Sequence, residues 1–158
     1  MKNNIQACFF ALLASLILLT SCDEPPYFSE VQPVDPSGWH LEDRKVFEVE
    51  IQDTVTLHNL YLHIRHRGSY DYSNIYFFFH INFPNGKTAK DTIECPLADY
   101  QGKWLGNKAG DIVSHDVLIK YRSQFPLAGD YTFELEHAMR DEELLDVTDV
   151  GLVIEEVK

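Results

Sequence analysis

The chain has 158 residues, 45% of them hydrophobic, which is enough for one domain with a single core. Its formal net charge is −12 at pH 7. This acidic excess disfavours nucleic acid as a partner, because a phosphate backbone attracts basic proteins.

Residues 1–21 predict a lipoprotein signal peptide. A lysine at position 2 precedes an apolar run over residues 7–19, which has the length of a signal peptide and is short for a membrane span. The following Leu19-Thr20-Ser21-Cys22 resembles a bacterial lipobox, in which the cysteine is acylated and becomes the new amino terminus. Cys22 is therefore the predicted lipidation site, and its acyl chains would anchor the protein in a membrane. A non-lipidated secretory signal and a signal anchor are the alternatives.

Cleavage before Cys22 would remove Cys8 and leave Cys95 without a partner in the same chain. The sequence therefore predicts no internal disulfide in the mature protein. Cys95 lies in an alternating segment, and a small buried hydrophobic residue is its simplest interpretation.

Residues 22–38 predict a lipidated cysteine followed by a proline-rich tether. Prolines at positions 25, 26, 33 and 36 disfavour a continuous helix or strand, so this segment would hold the domain off the membrane. Asp23 and Glu24 lie next to the lipid-bearing cysteine and are candidates for a lipoprotein-sorting signal. A single domain is predicted over residues 39–158, opening at Trp39.

Two alternating segments, residues 60–66 and 75–83, predict the centre of the fold. In each of them every second residue is apolar, which is the period of a half-buried strand. The residues between them are polar and include a glycine, a composition that favours a β-hairpin. Burying one shared face would place Ile64 opposite Phe77 in this hairpin.

The other face of the predicted hairpin is aromatic and basic, which is unusual in an acidic chain. Three interpretations are open. In the first, the face is covered and its basic residues pair with the chain's own acids. In the second, the face binds protein, because interfaces favour Tyr and Arg. In the third, the aromatic rings stack on sugar rings. The candidate interaction face comprises Tyr61, His63, Arg65, Tyr76, Phe78 and His80, with Trp104 from a later loop.

The remaining segments predict a sandwich. Alternation recurs, with turn signals between the segments, over residues 45–51, 88–97, 112–121, 131–136 and 150–156. Seven or eight short strands without a helical segment of useful length indicate an all-β fold, an antiparallel β-sandwich. Immunoglobulin-like and jelly-roll connections both agree with this pattern.

The turn-rich residues 99–111 contain three glycines around Trp104. These glycines lack the strand-to-helix context of a phosphate-binding loop, so they do not indicate a nucleotide site. Trp104 is predicted either to pack over one end of the sandwich or to contact a partner.

The sequence does not predict catalysis or a metal site. His63 and His66 point to opposite faces of one strand, and no third ligand accompanies His63 and His80. The carboxylates alternate with core residues, as on solvated faces, and the common hydrolase signatures do not occur. We therefore predict a protein that is not an enzyme and has no catalytic residues, no metal and no cofactor.

Several short segments together resemble the gliding-motility lipoprotein GldH family of Bacteroidetes. They cover nearly the whole chain after the signal, in the family's order, and the lipobox at Cys22 agrees with them. The segments are Arg65-His-Arg-Gly-Ser-Tyr-Asp-Tyr-Ser-Asn-Ile-Tyr-Phe-Phe78, Asp91-Thr-Ile-Glu-Cys-Pro-Leu-Ala-Asp99, Gly102-Lys-Trp-Leu-Gly106, Gly110-Asp-Ile112, Phe125-Pro126 with Gly129, Tyr131 and Phe133, Ala138-Met-Arg140 and Asp149-Val-Gly-Leu152.

The resemblance implies a membrane-anchored lipoprotein of the bacterial cell envelope, either facing the periplasm or on the cell surface. It implies partners among other envelope lipoproteins or components of the gliding-motility and associated protein-secretion machinery. Because non-gliding relatives also carry members, envelope assembly or secretion is the safer role. The predicted function is thus an accessory or scaffold protein that acts through protein–protein interaction. A surface glycan-binding lipoprotein is the alternative, and it requires Tyr61, Tyr76 and Phe78 exposed in one row.

Overall fold

The structure, a computed structural model, describes residues 24–157. The predicted signal peptide and Cys22 lie outside these residues. Within them the regular structure consists of strands and no helix occurs, which confirms the predicted all-β class. The strands are β1 (Phe28–Pro33), β2 (Trp39–His40), β3 (Lys45–Ile51), β4 (Leu57–Arg67), β5 (Asn74–Asn82), β6 (Thr88–Pro96), β7 (Asn107–Ala109), β8 (Ile112–Gln124), β9 (Gly129–His137), β10 (Glu143–Leu144) and β11 (Val147–Glu156).

Two antiparallel sheets pack face to face. The five-stranded sheet has the order β1-β11-β4-β8-β7, and the four-stranded sheet has the order β3-β9-β5-β6. A short ribbon of β2 and β10 accompanies them. The predicted sandwich is therefore confirmed.

The strand order identifies this sandwich as a jelly roll. Eight strands have six or more residues, namely β1, β3, β4, β5, β6, β8, β9 and β11. Counted in chain order, the first, eighth, third and sixth of these lie side by side in one sheet. The second, seventh, fourth and fifth form the other sheet. This arrangement is the double Greek key of a jelly roll and not the immunoglobulin order.

β4 and β5 do not form the predicted hairpin. β4 pairs with β11 and β8 in one sheet, whereas β5 pairs with β6 and β9 in the other. Ile64 and Phe77 are both completely buried, so their faces meet across the core and not side by side. Apolar alternation marks the face of a strand that points to the core. The pattern is identical for two neighbouring strands of one sheet and for two strands that face each other across the core. The predicted pairing of Ile64 with Phe77 is therefore wrong.

Large aromatic side chains fill the core between the sheets. The Phe79 and Phe133 rings stack with centroids 5.6 Å apart, and Tyr131 lies 6.0 Å from Phe133. Trp39 is completely buried, and its Nε1 donates a hydrogen bond of 2.7 Å to the carbonyl oxygen of Asp43. Burial of each such side chain contributes about 1.5–3 kcal/mol, so this layer holds the two sheets together.

Part of the predicted tether is a strand. β1 pairs with β11 along its whole length, from Phe28 opposite Ile154 to Pro33 opposite Asp149. The tether prediction is therefore wrong for residues 28–33. The backbone ladder holds this strand, and a sheet edge tolerates proline because only one side of the strand needs hydrogen bonds.

The two ends of the sandwich differ. Val147 at the start of β11 lies opposite His66 at the end of β4. At this end, named the loop end, the chain crosses between the sheets through residues 68–73, 97–106 and 138–146. β1 begins at the other end, because its first residue pairs near the carboxyl end of β11.

Candidate functional site

The predicted interaction face is divided between the two outer surfaces of the sandwich. Because residues 68–73 cross from one sheet to the other, β4 and β5 turn their outer faces in opposite directions. The structure therefore does not bring the six strand residues of this face together. Those on the five-stranded sheet are Tyr61, His63 and Arg65, and those on the four-stranded sheet are Tyr76, Phe78 and His80.

On the five-stranded sheet, acidic residues pair with both basic residues of the predicted face. His63 Nδ1 lies 2.6 Å from Asp116 Oδ1 on β8. Arg65 Nη1 lies 3.8 Å from Asp149 Oδ2 on β11. These are cross-strand pairs of opposite charge, so the basic character of this surface is largely offset within the chain.

A charged network covers the aromatic surface of the four-stranded sheet. Lys90 Nζ lies 3.5 Å from the centroid of the Phe78 ring, a cation–π contact. Glu136 pairs with Arg44 at 2.7 Å and with His80 at 3.4 Å. Phe78 is therefore not presented as a bare platform.

The row of rings that glycan binding required does not form. Tyr61 is on the opposite sheet from Tyr76, and Lys90 covers Phe78. The arrangement of His63, Arg65 and His80 matches instead the interpretation in which the cations pair with the chain's own acids.

The connections at the loop end are fixed by backbone hydrogen bonds to the strands. Gly68 N donates to the carbonyl oxygen of Asp111 at 2.7 Å, and Ala138 N donates to that of Tyr76 at 2.7 Å. The buried Tyr70 inserts between the sheets, and its hydroxyl donates to the carbonyl oxygen of Asn74 at 3.2 Å. The loop end is thus a defined surface that can position side chains.

Trp104 packs over this end of the sandwich, the first of its two predicted roles. Its ring centroid lies 4.6 Å from that of His66 and 6.5 Å from that of Tyr70, and the side chain is partly buried. The nearby Gly106 has φ +92°, and a Cβ atom there would lie 2.4 Å from the carbonyl oxygen of Ser114. Glycine at this position therefore permits the close approach that seats Trp104.

Two half-exposed tyrosines border a shallow cleft at the loop end. Tyr72 and Tyr76 retain 39% and 36% of their accessible surface. Ala138, Met139 and Arg140 complete the lining, and Met139 Sδ accepts a hydrogen bond of 3.3 Å from Tyr76 N. Within residues 24–157, no ion pair engages Arg140. We name these five residues the loop-end cleft.

An acidic cleft adjoins the loop-end cleft at Tyr72. The Tyr72 hydroxyl donates to a carboxylate oxygen of Asp141, and this hydrogen bond raises the pKa of the tyrosine. No group of three His, Cys, Asp or Glu side chains in the described part of the chain is placed to hold a metal ion. The carboxylates of the acidic cleft come from Asp71, Asp141, Glu142, Glu143 and Asp146.

Cys95 is completely buried, and this burial raises the pKa of its thiol to about 12. A thiol of this kind stays protonated and is out of reach of a substrate, so it is neither a nucleophile nor a metal ligand. The interpretation of Cys95 as a small buried hydrophobic residue is confirmed.

Three buried histidines were missed by the sequence interpretation. His58, His66 and His137 are at most 2% exposed. Desolvation by burial lowers the pKa of His66 and of His137, so both are neutral at physiological pH. The sequence did contain a signal for two of them. His66 occupies the same face of β4 as Leu62, and His137 occupies the same face of β9 as Phe133, and in both strands this is the face that points to the core.

Several of the segments that carry the family resemblance meet at the loop end. Residues 65–78 and 138–140 line or support the loop-end cleft, and residues 102–106 hold Trp104 over the same end. Among residues 24–157, the structure has no helix that is long and apolar enough to cross a membrane.

Solved structures give only distant likenesses. A family GH115 4-O-methyl-alpha-glucuronidase superposes with a TM-score of 0.44 at 8% identity, covering 87% of this chain and 18% of that enzyme. A structure of infectious bursal disease virus superposes with a TM-score of 0.34 at 9% identity, covering 82% of this chain and 29% of the viral chain. Neither score supports an inference about function.

Sequence comparison is far more specific. The family model for GldH lipoprotein matches residues 26–154. A gliding motility lipoprotein GldH homolog of Christiangramia forsetii is 31% identical over 153 residues, which cover 92% of this chain and 93% of the relative. The gliding motility lipoprotein GldH of Flavobacterium johnsoniae is 31% identical over 152 residues, which cover 92% of this chain and 94% of that protein. The chain therefore belongs to the GldH lipoprotein family.

Proposed function

We propose that this protein is a lipid-anchored accessory protein of the cell envelope that binds components of the gliding-motility and associated protein-secretion machinery. Its family supports the gliding part of this proposal, since both relatives are named gliding motility lipoproteins. Neither relative is named as an enzyme, and the proposed action is binding without catalysis.

Cys22 is the proposed point of membrane attachment. It precedes Phe28, the first residue of β1, by six positions. Six residues span at most about 20 Å when fully extended, so the anchor stays near the start of β1. That start lies at the end of the sandwich opposite the loop end. The position of the β1 start, at the end opposite the loop-end cleft, is the observation that carries the proposal, because attachment there would leave the cleft accessible.

The loop-end cleft has the chemistry of a protein contact. Interfaces are enriched in tyrosine, methionine and arginine, and Tyr72, Tyr76, Met139 and Arg140 provide all three. The arginines at positions 44 and 65 are held in ion pairs, whereas no ion pair within the described chain engages Arg140. A carboxylate or backbone carbonyl of a partner could therefore be bound there without breaking an existing pair.

The test is a cross-linked pull-down of the tagged full chain from its native membrane. Wild type should recover a defined set of envelope proteins, and Tyr76→Ala and Arg140→Ala should each lose it. Tyr121→Ala is the matched control, because Tyr121 is 67% exposed on β8, outside the loop-end cleft. Equal recovery by all variants would show that the cleft is not the contact surface.

A second test addresses the anchor and the alternative function. Cys22→Ala should release the protein from the membrane fraction, and a variant that stayed bound and fully functional would contradict the lipid anchor. Electrophoresis through polysaccharide gels tests glycan binding. Retardation that Tyr76→Ala abolishes would favour the glycan alternative over protein binding.

A further inference from the structure

We propose that two copies of this chain pair through β6 and join their four-stranded sheets into one continuous sheet. This inference goes beyond the proposed function. It concerns a sheet edge outside the loop-end cleft, and the two surfaces touch where Glu94 on β6 accepts a hydrogen bond from Tyr76. β6 is the last strand of its sheet and pairs with β5 alone. It keeps one register with β5 across all nine residue pairs. A regular edge of this length is a template for a further strand.

The other sheet edges formed by residues 24–157 are blunted. On the β3 edge, the Gln32 side chain donates a hydrogen bond of 2.7 Å to the carbonyl oxygen of Val46. The register of β8 with β4 shifts twice, and Arg122 on β8 has φ +47°. The β1 edge has six residues and ends at Pro33. Bulges and short strands disfavour edge pairing, and β6 has nine residues in one register without a bulge; its proline stands at the last position, and its edge charges are complementary to those of a second copy.

The hydrogen-bond pattern between β5 and β6 determines which backbone groups of β6 point to its free edge. Phe83 N donates to the carbonyl oxygen of Lys87 at 2.8 Å, which continues the β5–β6 register by one pair. Hydrogen-bonded and non-hydrogen-bonded pairs alternate along an antiparallel ladder. Odd-numbered residues of β6 therefore direct their backbone groups to β5. The residues that direct their N–H and C=O groups to the free edge are Thr88, Lys90, Thr92 and Glu94, and Pro96 directs its C=O group there.

Lys90, Thr92 and Glu94 at the centre of this edge are self-complementary in one antiparallel register. With Thr92 opposite Thr92 of the second copy, Lys90 faces Glu94 of that copy and Glu94 faces its Lys90. Within one copy Lys90 lies over the Phe78 ring and 3.7 Å from Glu136, and Glu94 accepts a hydrogen bond from Asn74, so the pairs between copies would extend these existing contacts. Opposite charges and Thr–Thr pairs placed directly across two strands are stabilising. Two backbone hydrogen bonds for each of these pairs would add about six to the ladder.

Neighbouring registers are worse. Centring the pair on residue 90 places two lysines opposite each other, and centring it on residue 94 places two glutamates opposite each other, and like charges in direct opposition are destabilising. Centring the pair on residue 91 places two aspartates opposite each other, and centring it on residue 93 leaves Lys90 and Glu94 without an opposite charge. The charges of the edge strand therefore select one register and a second copy of the same chain as its partner.

The pairing is compatible with membrane attachment. The two-fold axis of an antiparallel strand pair runs perpendicular to the sheet, so both five-stranded sheets lie on the same side of the dimer. Both β1 strands, from which the proposed anchors lead, belong to those sheets. Both anchors would reach one membrane when the strands of the two five-stranded sheets lie parallel to its surface. Attachment to the same membrane also raises the local concentration of the second copy.

Cysteine cross-linking in the full chain, in its native membrane, tests the register. Thr92→Cys should give a disulfide-linked homodimer on oxidation, because the two Cα atoms of a hydrogen-bonded antiparallel pair are about 5.5 Å apart. Thr88→Cys is the control on the same edge, and its two sulfurs would be separated by roughly eight strand residues, or about 26 Å. We expect at least tenfold less dimer from Thr88→Cys. The wild-type chain is the second control, since Cys95 is completely buried.

Charge reversal tests the selection of the partner. In the Thr92→Cys background, Lys90→Glu and Glu94→Lys should each reduce the dimer severalfold, and their combination should restore it. Arg140→Ala should leave the dimer unchanged, so a failure of this inference is distinguishable from a failure of the proposed function. Three results would overturn the pairing: no dimer from Thr92→Cys, equal yields from Thr92→Cys and Thr88→Cys, or linkage of Thr92→Cys to a different protein.

Discussion

Gly106 offers a sharp test of how the loop end is built. A Cβ atom at this position would lie 2.4 Å from the carbonyl oxygen of Ser114 and 2.9 Å from Cβ of His115. Gly102, in the same connection, also has a positive φ, +78°, but a Cβ atom there would meet nothing within 4 Å. Gly102→Ala therefore reports the backbone cost alone, and Gly106→Ala reports the backbone cost plus the close approach to β8.

The expected magnitudes follow from these two environments. A non-glycine residue in the left-handed region costs about 1–2 kcal/mol, and this is the whole effect expected for Gly102→Ala. At Gly106 the contact must open by about 1 Å to reach ordinary van der Waals distance. Because β4 holds β8 along its length, the movement falls on the connection that carries Trp104. Partial exposure of an indole costs on the order of 2 kcal/mol more, so we expect a total of about 3–4 kcal/mol.

Denaturant unfolding followed by circular dichroism measures the free energies of unfolding of both variants. Fluorescence supplies a local probe, because the chain has two tryptophans and Trp39 is completely buried. A red shift in folded Gly106→Ala that disappears in a Trp104→Phe background would place the disturbance at Trp104. Equal destabilisation by the two alanines, with unchanged emission, would refute the close approach as the element that seats Trp104.

Three further predictions concern the core. Phe79→Ala should lower the free energy of unfolding by about 3–5 kcal/mol with little change in the denaturant m-value, because it opens a cavity beside Phe133. As the pH falls below about 6.5, the unfolded chain should bind protons before the native state, in which burial lowers the pKa of His66 and of His137. Stability should then fall by up to about 1.4 kcal/mol per pH unit for each histidine, which unfolding curves between pH 7.5 and 5.5 would show, and the double Gln variant should flatten the slope. Cys95 should resist thiol reagents at pH 8 in the native protein and react at the rate of unfolding, since burial raises its pKa to about 12, and rapid native labelling would contradict this.

β3 shows what hydrophobic alternation can predict. Along Lys45–Ile51 the side chains alternate strictly between buried and exposed, as the sequence predicted. A strand of an antiparallel sandwich has one face on the core and one on solvent, so the period of the sequence records its orientation directly. The same reasoning predicted β9, where Tyr131, Phe133 and Leu135 all reach the core.

β1 shows where alternation fails. Four of its six residues are exposed, and its sequence has no regular apolar period. Hydrogen bonds to β11 hold the strand at the sheet edge, and they depend on the backbone and not on side-chain type. A composition that favours a linker is therefore also compatible with an edge strand, and the sequence alone did not separate the two.

The loop-end cleft lies beyond alternation for a further reason. Tyr72 comes from one crossover and Arg140 from another, and they meet only because the jelly roll sends both crossovers to the same end. The hydrophobic period of a strand records which face is buried, but it does not record which strand lies beside it. The predicted hairpin therefore had the right buried faces and the wrong neighbours, and it combined two outer surfaces that the fold separates.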